Sequence, residues 1–141
     1  MGGWGSSDEE IYGDVEVAKI NDDGSLTEWS LEKHALKAPR YACGLTLIPP
    51  TDTLPPVLLA SGGLTTNGKY LDEMEYAAIE PQTGSVGPWT VVPEKMSFPT
   101  PRAHHAAFYE NGIMTIVGGE SIGQLSLGDV ESSAIRVSRS K

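Results

Sequence analysis

The stretch DVEVAKI at residues 14–20 returns as EMEYAAI at residues 73–79 and as DVESSAI at residues 129–135. A turn dipeptide ending in glycine, and then a tryptophan, follow the first two copies: Asp23-Gly24 with Trp29, and Thr83-Gly84 with Trp89. Corresponding positions lie roughly 60 residues apart, a spacing typical of proteins built from repeated supersecondary units. The repeat predicts the architecture of the chain, but it identifies neither a ligand nor a reaction.

Two further dipeptides recur in the same order. They are a Pro-Arg pair at 39–40 and 101–102, and a glycine pair at 62–63 and 118–119. Gly2-Gly3 stands where an earlier glycine pair is expected. The repeating unit therefore runs from Pro-Arg through the glycine pair and the repeated stretch to the tryptophan.

Short apolar runs bounded by turn residues predict β-strands throughout the chain. The expected strands cover residues 41–48, 57–61, 74–79, 89–92, 104–109, 113–117 and 129–137. Asn111-Gly112 between two apolar runs is a strong hairpin signal, because both residues tolerate positive φ. No window keeps a 3.6-residue apolar period long enough for a substantial helix. The predicted class is all-β.

The order of these features resembles a known family. A strand ending in two glycines, a strand with a central glutamate, a turn, a tryptophan and an opening Pro-Arg are similar to kelch-type repeats of galactose-oxidase-like β-propellers. The resemblance covers residues 14–135. The aromatic residue expected beside the glutamate is Val17 in one copy and Tyr76 in another, so the chain resembles a divergent kelch type. The resemblance implies blades of four antiparallel strands.

On this reading the blades are incomplete in one chain. Residues 1–13 form an N-terminal segment, and the kelch-like blades of 14–141 comprise a partial blade at 14–38, a full blade at 39–92 and a partial blade at 101–141. A ring of blades typically needs about 4–8 of them, against about two and a half here. We expect other polypeptide to complete the propeller: copies of this chain, a separate partner, or the remainder of a longer parent.

Composition excludes several functional classes. The net charge of −9 disfavours a nucleic-acid surface, which needs clustered Lys and Arg. A single cysteine, Cys43, excludes an internal disulfide. No apolar run approaches the ~18–20 residues of a membrane span. The first residues lack the basic and apolar regions of a signal peptide, and the compartment is left open because an N-terminal portion preceding this chain would hide such a signal.

Recurring charged and aromatic residues have a structural and a functional interpretation. Glu16, Glu75, Glu131, Arg40 and Arg102 would form a charged ligand-binding ring, or Arg–carboxylate pairs between neighbouring strands or blades. Because a binding site breaks repeat symmetry, we expect the pairs. Trp29 and Trp89 are likewise expected in the packing between blades, each with its indole N–H on a backbone carbonyl. The glycine pairs are expected at positions where the backbone adopts a conformation that only glycine takes easily, and they are not expected to bind phosphate.

No catalytic, cofactor or metal residue is predicted. His104 and His105 are adjacent in a predicted strand, so they point to opposite faces and do not converge on one metal ion. Cys43 lies in an apolar run and is expected to be a small buried residue. Copper oxidases of the galactose-oxidase type hold copper with Tyr and His beside a Tyr-Cys crosslink, and no spacing here singles out such a site.

The loops that break the repeat are the candidate binding elements: 49–56, 64–70 and 120–127, the last two sharing one face. The leading hypothesis is a non-enzymatic propeller segment that binds protein or carbohydrate, or serves as an assembly scaffold. A second hypothesis is a subunit that forms rings or filaments by strand complementation. A third is a piece of a carbohydrate-active or copper oxidase enzyme with its catalytic residues elsewhere.

Overall fold

A computed structural model describes residues 1–7 and 10–135, without the side chain of Lys95. Antiparallel strands dominate, and the described part contains no α-helix, so the predicted all-β class is confirmed. In chain order the strands are β1 Gly3–Trp4, β2 Ile11–Tyr12, β3 Glu16–Val17, β4 Ser30–Leu31, β5 Gly44–Ile48, β6 Val57–Ser61, β7 Met74–Ala78, β8 Thr90–Val91, β9 Ala106–Glu110, β10 Ile113–Val117 and β11 Val130–Ala134. A 3₁₀ turn at Glu94–Met96 follows β8.

The central sheet is a four-stranded antiparallel meander in the order β5-β6-β7-β8. Leu59 at its middle pairs with Thr46 on one side and with Tyr76 on the other. The residues of β6 are buried on both faces of the sheet, a pattern expected where other sheets cover both sides. The central sheet is therefore the inner layer of the molecule.

The last sheet contains three strands in the order β9-β10-β11. Its hairpin turns at Asn111 and Gly112, which have φ of 50° and 82°. Positive φ at both central residues is the geometry that matches the twist of a two-residue hairpin. The Asn-Gly prediction is confirmed.

The first part of the chain forms two small sheets, β1-β2 and β3-β4. The amide of Gly2 donates to the carbonyl of Asp14 at 2.9 Å. Gly62 makes the same bond to Glu73, and Gly118 makes it to Asp129, both at 3.1 Å. The first glycine of each pair thus holds the start of the repeated stretch in all three units. Gly2-Gly3 therefore occupies the position of a glycine pair, as the sequence predicted.

Apolar side chains lie in two layers, one on each face of the central sheet. The layer toward β3 and β4 contains Val15, Leu36, Ala60, Ala77, Val86 and Trp89. The layer toward β10 contains Leu59, Met74, Val92, Phe98, Met114 and Ile116. Leu59 and Ala60 are neighbours in β6 and enter different layers, because successive strand residues point to opposite faces.

Several predicted strands are shorter than expected. β5 begins at Gly44 rather than 41, and β9 begins at Ala106 rather than 104. The cause is the same in both units: Ala42 and His104 occupy matching positions and have φ of 54° and 55°. Strand β8 covers only Thr90–Val91, and β11 covers Val130–Ala134; residues 136 and 137 of the expected last strand lie outside the described part.

Candidate functional site

The buried Arg40 forms a network of hydrogen bonds at one end of the central sheet. Its Nη2 donates to Glu75 Oε1 at 2.6 Å and to Glu73 Oε1 at 2.9 Å, and its Nη1 donates to the carbonyl of Gly62 at 3.0 Å. Arg40 and Glu75 are both fully buried. A buried charge must be paired and hydrogen-bonded to be tolerated, and this one is. The guanidinium therefore ties the start of β7 to the end of β6.

Arg102 repeats the arrangement in the last sheet. Its Nη2 donates to Glu131 Oε1 at 2.6 Å and to Asp129 Oδ2 at 2.9 Å, and its Nη1 donates to the carbonyl of Gly118 at 2.8 Å. Hydrogen bonding to Asp129 raises the pKa of Arg102, and the same bond lowers the pKa of Asp129. The predicted Arg–carboxylate pairs are confirmed for these two units. Both arginines therefore have a structural role in holding the strands of their sheet together.

The three repeated glutamates do not have equal surroundings. Glu75 also accepts hydrogen bonds from the backbone amides of Lys37 and Ala38, at 2.7 and 3.0 Å. At the place of Lys37 the next unit has Pro99, which has no N–H to donate. Within the described residues, Glu131 Oε2 is accordingly buried without a partner. Glu16 is exposed, and no ion pair involves it in the described part of the chain.

The glycine pairs bring neighbouring sheets into backbone contact. The amide of Gly63 donates to the carbonyl of Arg102 at 2.8 Å. A Cβ on Gly62 would lie 2.5 Å from that same carbonyl oxygen, and one on Gly63 would lie 2.7 Å from the carbonyl oxygen of Tyr41. Both glycines have positive φ, 56° and 101°. The structure thus confirms that the backbone at these two positions requires glycine.

The two adjacent histidines have different environments, although both precede strand β9 instead of lying in a strand as predicted. His105 is buried, lies 3.0 Å from Ser61 Oγ through its Nε2, and has its pKa lowered to about 4 by burial and by the nearby Arg102. The His104 side chain is more than half exposed, with Nε2 3.6 Å from Glu120 Oε1. Among residues 1–7 and 10–135, no three His, Cys, Asp or Glu side chains are grouped to hold a metal ion.

The loops 64–70 and 120–127 meet on one face, as the repeat predicts. The hydroxyl of Tyr70 donates to Glu120 Oε1 at 3.1 Å, which brings Tyr70, Glu120 and His104 together at the surface. Burial raises the pKa of Tyr70, and the hydrogen bond to Glu120 adds to the effect. Beside them Ile122 and Leu125 are almost fully exposed. Loop 49–56 joins β5 to β6 at the opposite end of the sheet.

Cys43 is half-buried, and burial raises the pKa of its thiol despite the nearby Arg40. A reactive cysteine needs a lowered pKa, because the thiolate is the nucleophile. The raised pKa disfavours the thiolate, and the side chain is only partly buried, whereas the sequence predicted a buried one.

The two repeated tryptophans differ: within one chain, the predicted packing between neighbouring units is found for Trp89 and not for Trp29. Trp89 is 2% exposed in the layer between β3 and the central sheet, whereas Trp29 is 65% exposed. Trp89 packs against Val15 and Leu36 of the preceding unit, and no described residue offers Trp29 such a surface. The predicted hydrogen bond from the indole N–H to a backbone carbonyl is wrong for Trp89, because its Nε1 has no hydrogen-bond partner among the described residues.

An apolar cavity of about 380 Å³, which the sequence did not predict, lies between the central sheet and the last sheet. Its lining includes Leu59, Met74, Phe98, Met114, Ile116 and Ser133. Glu131 adds a carboxylate at the cavity's side. A cavity of this size and lining suits an apolar or aromatic group rather than an ion.

No protein-family model matches the chain, and no curated protein is significantly similar to it. In the described part of the chain, no helix has the length and apolar character needed to cross a membrane. The geometry leaves three candidate sites: the face shared by loops 64–70 and 120–127, the exposed surface around Trp29, and the cavity.

Proposed function

We propose that this protein is a non-enzymatic, kelch-type propeller segment whose end sheets pack against copies of the same chain to form an assembly scaffold. Three features support the kelch-type interpretation. The central sheet is a four-stranded antiparallel meander. In the central and last sheets a buried arginine pairs with a glutamate of the third strand, and a glycine pair follows the second strand. The resemblance implies the four-stranded sheet and the glycine pairs, and the repeat implies the arginine pairs.

The exposure of Trp29 is the observation that carries the assembly proposal. Trp29 and Leu26 are 65% and 55% exposed, whereas Trp89 and Val86, at the same positions of the next unit, are 2% and 4% exposed. An apolar pair that is buried in one unit and bare in the other marks an interaction surface. Leu31 lies two residues beyond Trp29 and is 67% exposed, and Val91 at the same position of the central sheet is 44% exposed. We call Leu26, Trp29 and Leu31 the Trp29 face.

The opposite end of the molecule presents a second apolar face. Phe108, Ile113, Val117 and Val130 are exposed on the side of the last sheet that points away from the central sheet. Val130 occupies the position of Val15, which shares a layer with Trp89 in the contact between the first and second units. Packing of the Trp29 face of one copy on this Val130 face of another thus repeats a contact already present within the chain.

Native mass tests the proposal. Light scattering over a wide concentration range should give a mass above the 15.0 kDa of one chain, rising with concentration. Because the copies each carry a charge of −9, association should strengthen as salt screens their repulsion. Trp29→Glu should shift the protein to single chains, and Leu45→Glu, a change at a half-exposed leucine of the central sheet, should not. A folded wild-type protein that stays at one chain mass throughout contradicts the proposal.

A further inference from the structure

The cavity occupies the same place in the repeat as the indole of Trp89. Trp89 lies in one layer with Val15 and Leu36 from the first unit and with Ala60 and Ala77 from the central sheet. The repeat relates these four positions to Met74, Phe98, Ile116 and Ser133. All four of those residues line the cavity. The surroundings of a buried indole are therefore built twice.

No indole of this chain lies in the second set of surroundings. The chain has three tryptophans: Trp4 stacks on Tyr41 with ring centroids 5.8 Å apart, Trp29 is exposed, and Trp89 fills the other layer. Within residues 1–141 no further indole is available for the cavity. The repeat therefore points to a tryptophan from outside these residues as the group that matches the cavity.

The strand that carries Trp89 also shows how such a group would be held. Strand β8 pairs with β7 through Glu75 with Val91 and Tyr76 with Thr90, which places Trp89 beside Ala77. Strand β11 holds the position of β7 in the last sheet, and its observed neighbour is β10. No described strand pairs with its other edge. Unpaired edges are templates for strand addition.

We propose that the edge of β11 and the cavity together bind a tryptophan-bearing β-strand of a partner polypeptide. Main-chain hydrogen bonds to β11 supply affinity, and the indole enters the cavity beside Ser133 for specificity. The strand lies antiparallel to β11 in the register that β8 takes on β7. An apolar residue two positions after the tryptophan faces Glu131, as Val91 faces Glu75.

The test uses the chain's own strand as the probe. A fluorescent peptide of residues 83–93, TGSVGPWTVVP, is titrated with the full-length protein carrying Trp29→Glu, and binding is measured by anisotropy. We expect saturable binding that weakens at least tenfold when alanine replaces the peptide tryptophan, because a buried tryptophan is a typical dominant contact. The Trp29→Glu background separates this site from association through the end faces, so failure of one proposal leaves the other standing.

Matched variants locate the binding. Ser133→Trp places an indole in the cavity from within and should abolish peptide binding. Ala134→Trp makes the same change on the adjacent residue, which does not line the cavity, and should leave binding unchanged. Circular dichroism verifies that both variants are folded. Three results overturn the proposal: no binding by the folded protein, equal binding of the alanine peptide, or competition by free indole as effective as by the unlabelled peptide.

Discussion

Replacing Trp89 by alanine removes the largest side chain of the layer between the first unit and the central sheet. Trp89 is 2% exposed and shares this layer with Val15, Leu36, Ala60, Ala77 and Val86. Such a truncation costs about 3–5 kcal/mol, because apolar contacts are lost and the surroundings collapse only partly into the cavity left behind. Against a total stability of about 5–15 kcal/mol, that is a large fraction. The melting temperature should fall by about 10–15 °C in a chain of this length.

Trp29→Ala is the matched control, since it makes the same chemical change at the same position of the repeat. Trp29 is 65% exposed, so its replacement should change the free energy of unfolding of a single chain by less than about 0.5 kcal/mol. Urea unfolding of dilute protein, followed by far-ultraviolet circular dichroism, measures both variants without relying on tryptophan fluorescence. Equal losses in the two variants, or a neutral Trp89→Ala, would refute the assignment of the two environments.

Three further predictions concern the scaffold. Glu75→Ala leaves the charge of Arg40 buried with one fewer partner and should cost about 3–5 kcal/mol in urea unfolding. The native pKa of His105 is about 4, below the 6.5 of the unfolded chain, so the unfolded state binds more protons between these values and stability should fall as pH drops from 6.5 to 4. His105→Gln should make that fall shallower. Gly63→Ala should lower the melting temperature, because its φ is 101° and the added Cβ would lie 2.7 Å from a carbonyl oxygen.

Each of the three has a control. Glu73→Ala, at a partly exposed partner of the same arginine, should cost less than about 1 kcal/mol, and an equal loss would contradict the importance of burial. His104→Gln should leave the pH profile unchanged; a similar flattening would move the titration away from His105. Gly24 has positive φ but no atom within 4 Å of an added Cβ. If Gly24→Ala is as damaging as Gly63→Ala, close backbone approach is not the cause.

The strands that the sequence placed best are those whose limits are set by local chemistry. Observed strands 57–61 and 113–117 coincide with the predicted ones, because glycine pairs, proline and Asn-Gly bound their apolar runs. The starts of β5 and β9 were placed too early, since Ala42 and His104 take positive φ. Alanine rarely adopts that conformation, so no local signal revealed it.

Some features of the candidate sites could be predicted from the sequence and others could not. The pairs of Arg40 and Arg102 were predictable, because the repeat keeps both partners in register within one sheet. The exposure of Trp29 was not, since burial of a face depends on which sheet covers it rather than on the residue itself. The cavity was missed because its lining comes from two sheets, with Leu59 and Ile116 far apart in sequence. The repeat was the available clue, because it relates Val15, Leu36, Ala60 and Ala77 around Trp89 to four residues of the cavity lining.

Cross-linking between two differently tagged copies tests most directly which faces meet in the assembly. In a Cys43→Ser background, one copy carries Trp29→Cys and the other Val130→Cys, and a short bismaleimide is added to the mixture. The proposed head-to-tail contact predicts a product joining position 29 of one copy to position 130 of the other. Products joining 29 to 29 alone, or a yield no higher than that of a Leu45→Cys copy with the Trp29→Cys copy, would contradict it.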